Sequence, residues 1–306
     1  MARVLLTLTW GSLLAAGLPT LVWGQEGPPT EEGVGLTTPQ PAEEQPSALT
    51  PPASGQSPEK LPYEPTTNYE ERTIRGWRVL VHKSLLEQHR EVGQEGLELL
   101  DFQLYQITRA VPEPALEKLR QIPIWVEYNN PRVVCACYHP SRRWLRANGF
   151  NPEKAGSVEI GNIRRFLQWT HDQPWMVLHE LAHGYHHRFL GGYGNPEIVR
   201  TWQEAVDAGL YDSVLHCRGH HEPAYAKKNA EEYFAELSEA WFGANDFYPF
   251  VRAEVARHDP KGAELMNKMW GTRYRIRGGA PPAGEKEPAV PAPALEQQEK
   301  AQEKTN

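Results

Sequence analysis

Cysteine is scarce in this chain: there are three among 306 residues, and no two form a CxxC pair. The absence of CxxC argues against a zinc ribbon and against a thioredoxin-type motif. Cys135 and Cys137 lie two residues apart, an awkward spacing for a bridge to each other. Two alternatives stay open, that one of them pairs with Cys217 or that all three are small buried residues, and we favour the second.

Positive charge is also in short supply, since 32 Lys and Arg face 39 Asp and Glu and the formal net charge is −7. Proteins that bind nucleic acid usually show a basic excess on some face. No block of like charge is long enough to act as a basic arm or an acidic tail. We therefore expect no nucleic-acid partner.

Proline is abundant, with 27 residues, but much of it lies in two flanking stretches. Residues 25–62 form a Pro-rich linker, and residues 278–306 form a Pro, Ala, Glu and Lys tail. Both hold few apolar side chains, so we expect both to be disordered. Residues 63–277 have an ordinary globular composition and are long enough for one sizeable core.

The first 24 residues read MARVLLTLTWGSLLAAGLPTLVWG, one Arg followed by an apolar run and then by Val22 and Gly24. This pattern predicts a secretory signal peptide cleaved before Gln25. A retained signal anchor is the alternative, because the run is near the length needed to span a membrane. We expect a protein secreted to the medium, periplasm or envelope, with no stable membrane insertion after cleavage.

Hydrophobic patterning predicts strands early in the globular part and helices later. The predicted early elements are strands at 77–81, 124–128, 133–138 and 157–160 and helices at 97–111 and 113–121. This order indicates the α+β class rather than alternating βαβ units. We expect a small mixed sheet packed on one central helix, followed by a mostly helical C-terminal half.

That central helix is residues 175–190, WMVLHELAHGYHHRFL, which contain HExxH as His179, Glu180 and His183. Residues four apart lie on one face of a helix, so both imidazoles can reach one Zn²⁺ at about 2.0–2.1 Å. The glutamate between them is placed to take a proton from water. The apolar residues around the motif indicate a buried helix.

A zinc hydrolase needs a third protein ligand, and His186 is too far along the helix to supply it. Seven residues separate it from His179, a rise of about 10 Å. We therefore expect His186 to support the ligands from behind, as a second-shell group, or to lie at the rim of the site, and His187 to face solvent. The metzincin pattern HExxHxxGxxH fails, because it needs Gly at 186 and His at 189, where the chain has His and Phe.

Residues 229–243, NAEEYFAELSEAWFG, supply a better candidate on a helix with cap and stop signals. Glu232, Glu236 and Glu239 share one face of that helix, and such a stripe is costly to bury unless positive charge lies against it. We predict that Glu232 is the third zinc ligand and that Glu236 orients a ligand histidine. The alternative is a solvated acidic face, to which we assign Glu231 and Glu239.

The pairing of HELAHGYHH with Tyr225 and EYFAE at 232–236 resembles the gluzincin-type peptidase family of the anthrax lethal factor catalytic domain. The segment 171–250 also resembles uncharacterised secreted bacterial proteins with a YFAE-type helix followed by NDFYPF. The resemblance covers about a quarter of the chain. It implies a zincin-like domain, and it implies that Tyr225, seven residues before Glu232, points at the metal and helps stabilise an oxyanion.

Together these residues predict a secreted zinc metalloendopeptidase that hydrolyses proteins or peptides, with Glu180 as general base. Either of two strands, 157–160 or 133–138, is expected as an edge along which a peptide lies, with sheet interior as the alternative for each. A different class of function is a non-catalytic zinc protein of the envelope or of adhesion. Glu180 argues against it, because a structural site needs no carboxylate there. A toxin-like protease is disfavoured, because no delivery domain is visible.

A second histidine-rich segment contains His216, Cys217, His220 and His221. It resembles a metal cluster, but histidines scattered in a loop are more often exposed to solvent. We favour the solvent-exposed interpretation and leave the metal role open.

Overall fold

The computed structural model describes residues 63–274, so the predictions for residues 1–24, 25–62 and 278–306 lie outside the described residues. The strands are β1 (Tyr69–Ile74), β2 (Trp77–His82), β3 (Ile124–Val126), β4 (Ala136–His139), β5 (Ser157–Ile160), β6 (Val214–Leu215) and β7 (His221–Glu222). The helices are α1 (Lys83–Glu87), α2 (Arg90–Ala110), α3 (Glu113–Leu119), α4 (Arg142–Ala147), α5 (Ile163–Trp169), α6 (Met176–Phe189), α7 (Pro196–Asp207), α8 (Ala230–Phe242), α9 (Arg252–His258) and α10 (Pro260–Trp270). None of these helices is long and apolar enough to cross a membrane.

Five strands form one mixed sheet in the order β1-β2-β3-β5-β4. The pairs β1/β2 and β5/β4 are antiparallel, whereas β2/β3 and β3/β5 are parallel. The expected α+β class with a small mixed sheet is therefore confirmed. The parallel pairing of β2 with β3 requires a crossover, which α1, α2 and α3 provide, and the sequence patterning did not predict this.

Helix α2 begins at Arg90, earlier than the predicted start at residue 97, because the apolar residues whose spacing predicts the helix begin only at Leu97. The added turns contain Gly93 and Gly96, which allow close packing. A Cβ on Gly93 would lie 2.6 Å from the Leu85 carbonyl oxygen, and a Cβ on Gly96 would lie 2.3 Å from the Ile163 side chain. Their lower helix propensity is offset by contact with α1 and α5.

Because side chains alternate along a strand, the sheet has two different faces. One face joins the main core with the helices through Val79, Val81, Ile124, Val126, Val158 and Ile160. The opposite face holds a small cluster of Tyr69, Leu80 and Trp125. Beside that cluster the same face buries two carboxylates, Glu127 and Glu159.

Helix α6 packs against β4, β5 and α8, and α8 also contacts α7, α9 and α10. Glycine makes the approach of α6 to the sheet possible. A Cβ on Gly184 would lie 2.7 Å from Ile122 and 2.9 Å from the Tyr138 ring. The HExxH helix is thereby held between the sheet and the C-terminal helices.

The three cysteines are free. Cys135 is buried and Cys137 is half-buried, but Cys217 is exposed. The expectation that all three are buried is therefore wrong for Cys217, which lies in the short connection between β6 and β7.

Candidate metal centre

The two histidines of HExxH lie on α6, where apolar neighbours bury the helix and fix their direction. Val177, Leu178 and Leu181 are at most 2 % exposed. His179 is buried and His183 half-buried. Their ring centroids are 4.8 Å apart. One turn of helix therefore places both imidazoles beside each other, as the spacing predicted.

Helix α8 supplies the third side chain. The Asn229 side chain caps it by accepting from the Glu232 N–H at 2.8 Å, which satisfies one of the unpaired N–H groups of the first turn. Gly243 ends the helix, and a Cβ there would overlap the Trp175 ring. This contact holds α8 close to the start of α6, so that Glu232 faces the two histidines.

Three ligand atoms form a nearly equilateral triangle. His179 Nε2 lies 3.1 Å from His183 Nε2 and 3.3 Å from Glu232 Oε2. His183 Nε2 lies 3.1 Å from the same carboxylate oxygen. Ligands on a tetrahedral Zn²⁺ with bonds of about 2.0–2.1 Å are about 3.3 Å apart. The donor set and its spacing therefore fit one metal ion of this kind.

The tautomer of His179 is set by its other ring nitrogen. His179 Nδ1 lies 2.7 Å from Glu239 Oε1, and Gln173 Nε2 donates to the same oxygen at 2.8 Å. A carboxylate can only accept, so Nδ1 carries a proton, and Nε2 is the ring nitrogen left to bind a metal beside Glu232 and His183. This carboxylate–histidine pair is the arrangement that orients metal-binding imidazoles.

The outer carboxylates differ from what the sequence predicted. Glu239, assigned to a solvated face, is wholly buried and is the nearer partner of His179. Glu236, predicted to orient a ligand histidine, has its Oε1 3.7 Å from His179 Nδ1 and accepts from Asn245 Nδ2 at 3.0 Å. Burial raises the pKa of Glu236 well above its ordinary value, and the nearby Asp246 adds to that rise.

Glu180 lies on α6 beside the two histidines, and its half-buried side chain faces the edge strand β4. Burial raises the pKa of its carboxyl, although the positive charges of His179 and His183 partly lower it again. A hydrogen bond from the Tyr138 backbone reaches the same carboxyl. A carboxylate with a raised pKa, fixed beside a metal-capable triangle, is suited to take a proton near neutral pH.

Tyr225 lies in a 3₁₀ turn just before α8, Tyr225–Lys227, and its hydroxyl hydrogen-bonds Glu232. Burial, followed by the charge of Glu232, raises its pKa, so the phenol stays protonated. Lys228 Nζ donates to the same hydroxyl at 2.8 Å and lies 3.5 Å from Glu232 Oε1. No motif or spacing in the sequence indicates Lys228, whereas Glu239 could have been found from its place seven residues after Glu232, on the same face of the helix.

His186 is fully buried but makes no hydrogen bond through either ring nitrogen in the described part of the chain. Its ring packs against Phe234 and Tyr193, with centroids 5.3 and 5.2 Å away. Burial lowers its pKa to about 3, so the ring is neutral. His187, expected in solvent, is half-buried, with Nδ1 2.9 Å from the Tyr138 hydroxyl.

Carboxyl groups outnumber imidazoles at this centre. Four carboxylates, those of Glu180, Glu232, Glu236 and Glu239, surround two imidazoles. Burial lowers the pKa of His179, but hydrogen bonds to Glu232 and Glu239 outweigh it and hold that pKa well above the ordinary value. Conversely, burial raises the pKa of Glu232, but the two histidines outweigh it and hold that pKa well below the usual range. The site thus favours positive charge between these side chains.

Three other groupings among the described residues could hold a metal ion by distance alone, and one of them, His179 with Glu236 and Glu239, shares a histidine with the triangle. The two separate groupings are Cys137, His139 and Glu159, and His216, His220 and Glu222. In the first, Lys154 Nζ already lies 2.7 Å from Glu159 Oε1 and bonds Glu127 as well. The chain itself therefore supplies a cation there.

No family model, curated protein or solved structure matches this chain. What the fold and the site define by themselves is an α+β protein with buried His and Glu groupings that could hold a metal ion. Any narrower class is a matter of proposal.

Proposed function

We propose that the protein is a zinc-dependent peptidase with a zincin-like catalytic domain, whose metal is held by His179, His183 and Glu232. The observation that carries the proposal is the triangle of ligand atoms, 3.1 to 3.3 Å on a side, with Glu180 fixed beside it. A metal that only stabilised the fold would have no use for a carboxylate held there with a raised pKa.

Zinc bound at this centre would supply Lewis acidity toward a peptide carbonyl and would lower the pKa of water. Glu180 takes the proton of the attacking water and later gives it to the amine that leaves. Its raised pKa suits both steps, because the group must accept a proton and then release it near neutral pH.

Tyr225 and Lys228 act on the negative charge that develops on the carbonyl oxygen. An ammonium group can only donate, so Lys228 uses a lone pair of the Tyr225 hydroxyl and leaves the phenol proton free to donate. The Tyr225 hydroxyl rotates away from Glu232 and donates a hydrogen bond to the oxyanion. A fixed donor at this position stabilises the transition state. Lys228 thus positions Tyr225 and adds positive charge.

The peptide substrate would lie along β4, the edge strand beside α6. In the antiparallel β4/β5 pair, Cys135 O accepts from Gly161 N–H at 2.9 Å, so alternate residues turn their backbone groups to β5 and to the open edge. The backbone N–H and C=O groups of Ala136 and Tyr138 therefore point away from β5, toward the open edge of the sheet. An extended chain added there passes Glu180, which already contacts the Tyr138 backbone.

The expected setting of this activity is outside the cytoplasm, because residues 1–24 carry the pattern of a secretory signal. The net charge of −7 offers nothing that favours nucleic acid. Proteins or peptides met after export are therefore the proposed substrates.

The test is cleavage of a complex peptide library by the zinc-loaded full-length protein, with Glu180→Gln compared against Glu231→Gln. Loss of the general base should lower cleavage by about 10²–10⁴-fold and leave the zinc content unchanged. Glu231→Gln, one residue from a ligand but outside the triangle, should cleave like wild type. If wild type binds zinc and cleaves nothing, the non-catalytic zinc protein is the better account.

A further inference from the structure

The hairpin formed by β6 and β7 carries a second set of metal-ligating side chains that the proposed peptidase does not use. One ligand atom from each of His216, His220 and Glu222 lies within 4.8 Å of the others. His220 Nε2 and Glu222 Oε1 are 3.0 Å apart. The His216 and His220 rings stack with centroids 5.0 Å apart, so both imidazoles share one side of the hairpin.

The backbone holds these side chains in place. His216 N–H donates to the His220 carbonyl at 2.8 Å, and Gly219 N–H donates to the His216 carbonyl at 2.8 Å. The turn requires Gly219 in the left-handed region, at φ +88°. On the other side of the hairpin, Cys217 N–H donates to the Asp246 carbonyl at 2.7 Å. The site is built on a bonded three-segment framework rather than on a loose loop.

Asp246 extends the set to four side chains. Its Oδ2 lies 3.8 Å from His216 Nε2, and its Oδ1 is buried with no hydrogen-bond partner in the described residues. Glu222 and Asp246 together offer two carboxyl groups to a ligand. Arg218 is the only Lys or Arg in residues 214–222, and it is paired with Asp172. A divalent cation would balance the two carboxylates.

We propose that this hairpin binds a second divalent transition-metal ion through His216, His220 and Glu222, with Asp246 as the fourth ligand. Two imidazoles with two carboxylates suit Zn²⁺ and its neighbours better than Ca²⁺ or Mg²⁺, which take oxygen ligands. The site shares no residue with the His179, His183 and Glu232 centre. Its existence does not depend on whether that centre is catalytic.

Binding changes the tautomer of His216. Its Nδ1 now accepts from the Arg218 N–H at 3.2 Å, which leaves the ring proton on Nε2. Coordination through Nε2 moves that proton to Nδ1 and gives up this long hydrogen bond. Affinity should therefore be weaker than at the first centre, because this hydrogen bond is lost on binding.

The experiment measures zinc bound to the full-length protein after equilibration with a weak chelator. Wild type should hold about two equivalents, and Glu232→Ala, which disables the first centre, should keep about one. Adding His220→Ala or Glu222→Gln to Glu232→Ala should remove that remaining equivalent. Zinc should raise the melting temperature of Glu232→Ala but not that of either double variant.

His221→Ala is the matched control, because His221 is exposed on the same hairpin and lies outside the ligand set. Combined with Glu232→Ala, it should still bind one equivalent of zinc. The proposal is overturned if Glu232→Ala binds no zinc, or if His220→Ala and His221→Ala have equal effects. Failure of the peptidase proposal looks different, since zinc would then stay bound at the hairpin while no peptide is cleaved.

Discussion

Buried carboxylates lie on both sides of the sheet, but among the described residues only the side away from α6 has a buried lysine paired with them. On the face away from α6, Glu127 and Glu159 are paired with Lys154, and His139 Nε2 lies 2.6 Å from Glu159 Oε2. On the α6 side, four glutamates surround His179 and His183. Buried charge is tolerated when it is paired. The chain itself supplies the partners that balance Glu127 and Glu159. The glutamates around His179 and His183 would instead be stabilised by an added cation.

The largest effect should come from removing the internal cation. Lys154 is 3 % exposed, so Lys154→Met leaves Glu127 and Glu159 buried without it. We expect the free energy of unfolding to fall by about 3–5 kcal/mol, measured by urea denaturation. Lys261→Met is the control. Lys261 is 70 % exposed in its pair with Glu204, and its loss should cost at most about 1 kcal/mol. Equal effects would mean that the buried cluster is not a paired unit.

The pH dependence of stability should reflect the same cluster. Burial raises the pKa of Glu159, but the hydrogen bond from His139 and the charge of Lys154 outweigh it and lower the pKa to about 2. The ordinary value is 4.5, so this carboxylate stabilises the fold fully above pH 4.5. That stabilisation is lost as the pH falls through about 2.

Glu159→Gln should therefore lose less stability than wild type between these two pH values. Both proteins are to be unfolded in urea with EDTA present, so that metal release does not contribute. Parallel acid dependence in the two proteins would show that Glu159 is not held ionised by its partners.

On the other face, the carboxylate nearest His179 should govern metal affinity. Glu239→Gln should weaken zinc binding by about 10–100-fold, because Glu239 Oε1 is 2.7 Å from His179 Nδ1. Glu236→Gln should cost less, since its oxygen is 3.7 Å away. Competition with a chromophoric chelator measures both. A larger loss for Glu236→Gln would restore the assignment that the sequence favoured.

The smallest effect should come from Lys228 at the solvent-facing rim of the candidate metal centre, where solvent reduces the influence of a charge. Lys228→Met should lower kcat by about 10-fold, with KM and zinc content little changed, because it removes a positioning contact to Tyr225. Lys227→Met is the matched control, since Lys227 pairs with Asp212 at 2.8 Å and not with Tyr225. In a Tyr225→Phe background, Lys228→Met should have no further effect on kcat. An additive loss would show that Lys228 acts independently of Tyr225.

The contrast between the two faces also explains what could be predicted from the sequence. His179 and His183 are close because helical spacing is local, and the α8 glutamates share a face for the same reason. Glu127, Lys154 and Glu159 meet only because β3 and β5 pair in one register, with Ile124 opposite Val158. The pairing register of two strands cannot be read from the residues of either strand alone. The sequence therefore did not predict the cluster of Glu127, Lys154 and Glu159.

Burial was the other quantity that local patterning could not supply. Glu239 was assigned to solvent because a carboxylate on a helix is usually solvated, and its contact with His179 depends on how α8 packs on α6. Tyr225 was expected near the metal only by resemblance, and its hydrogen bond to Glu232 agrees with that placement. Lys228 reaches the site through the turn before α8, which no spacing rule describes.

The most direct test of the central claim is anomalous diffraction at the zinc edge from crystals of the zinc-loaded full-length protein. We predict a peak within bonding distance of His179 Nε2, His183 Nε2 and Glu232, and none at the Lys154 cluster, where the chain supplies its own cation. A peak beside Glu159, or no peak between α6 and α8, would contradict the account.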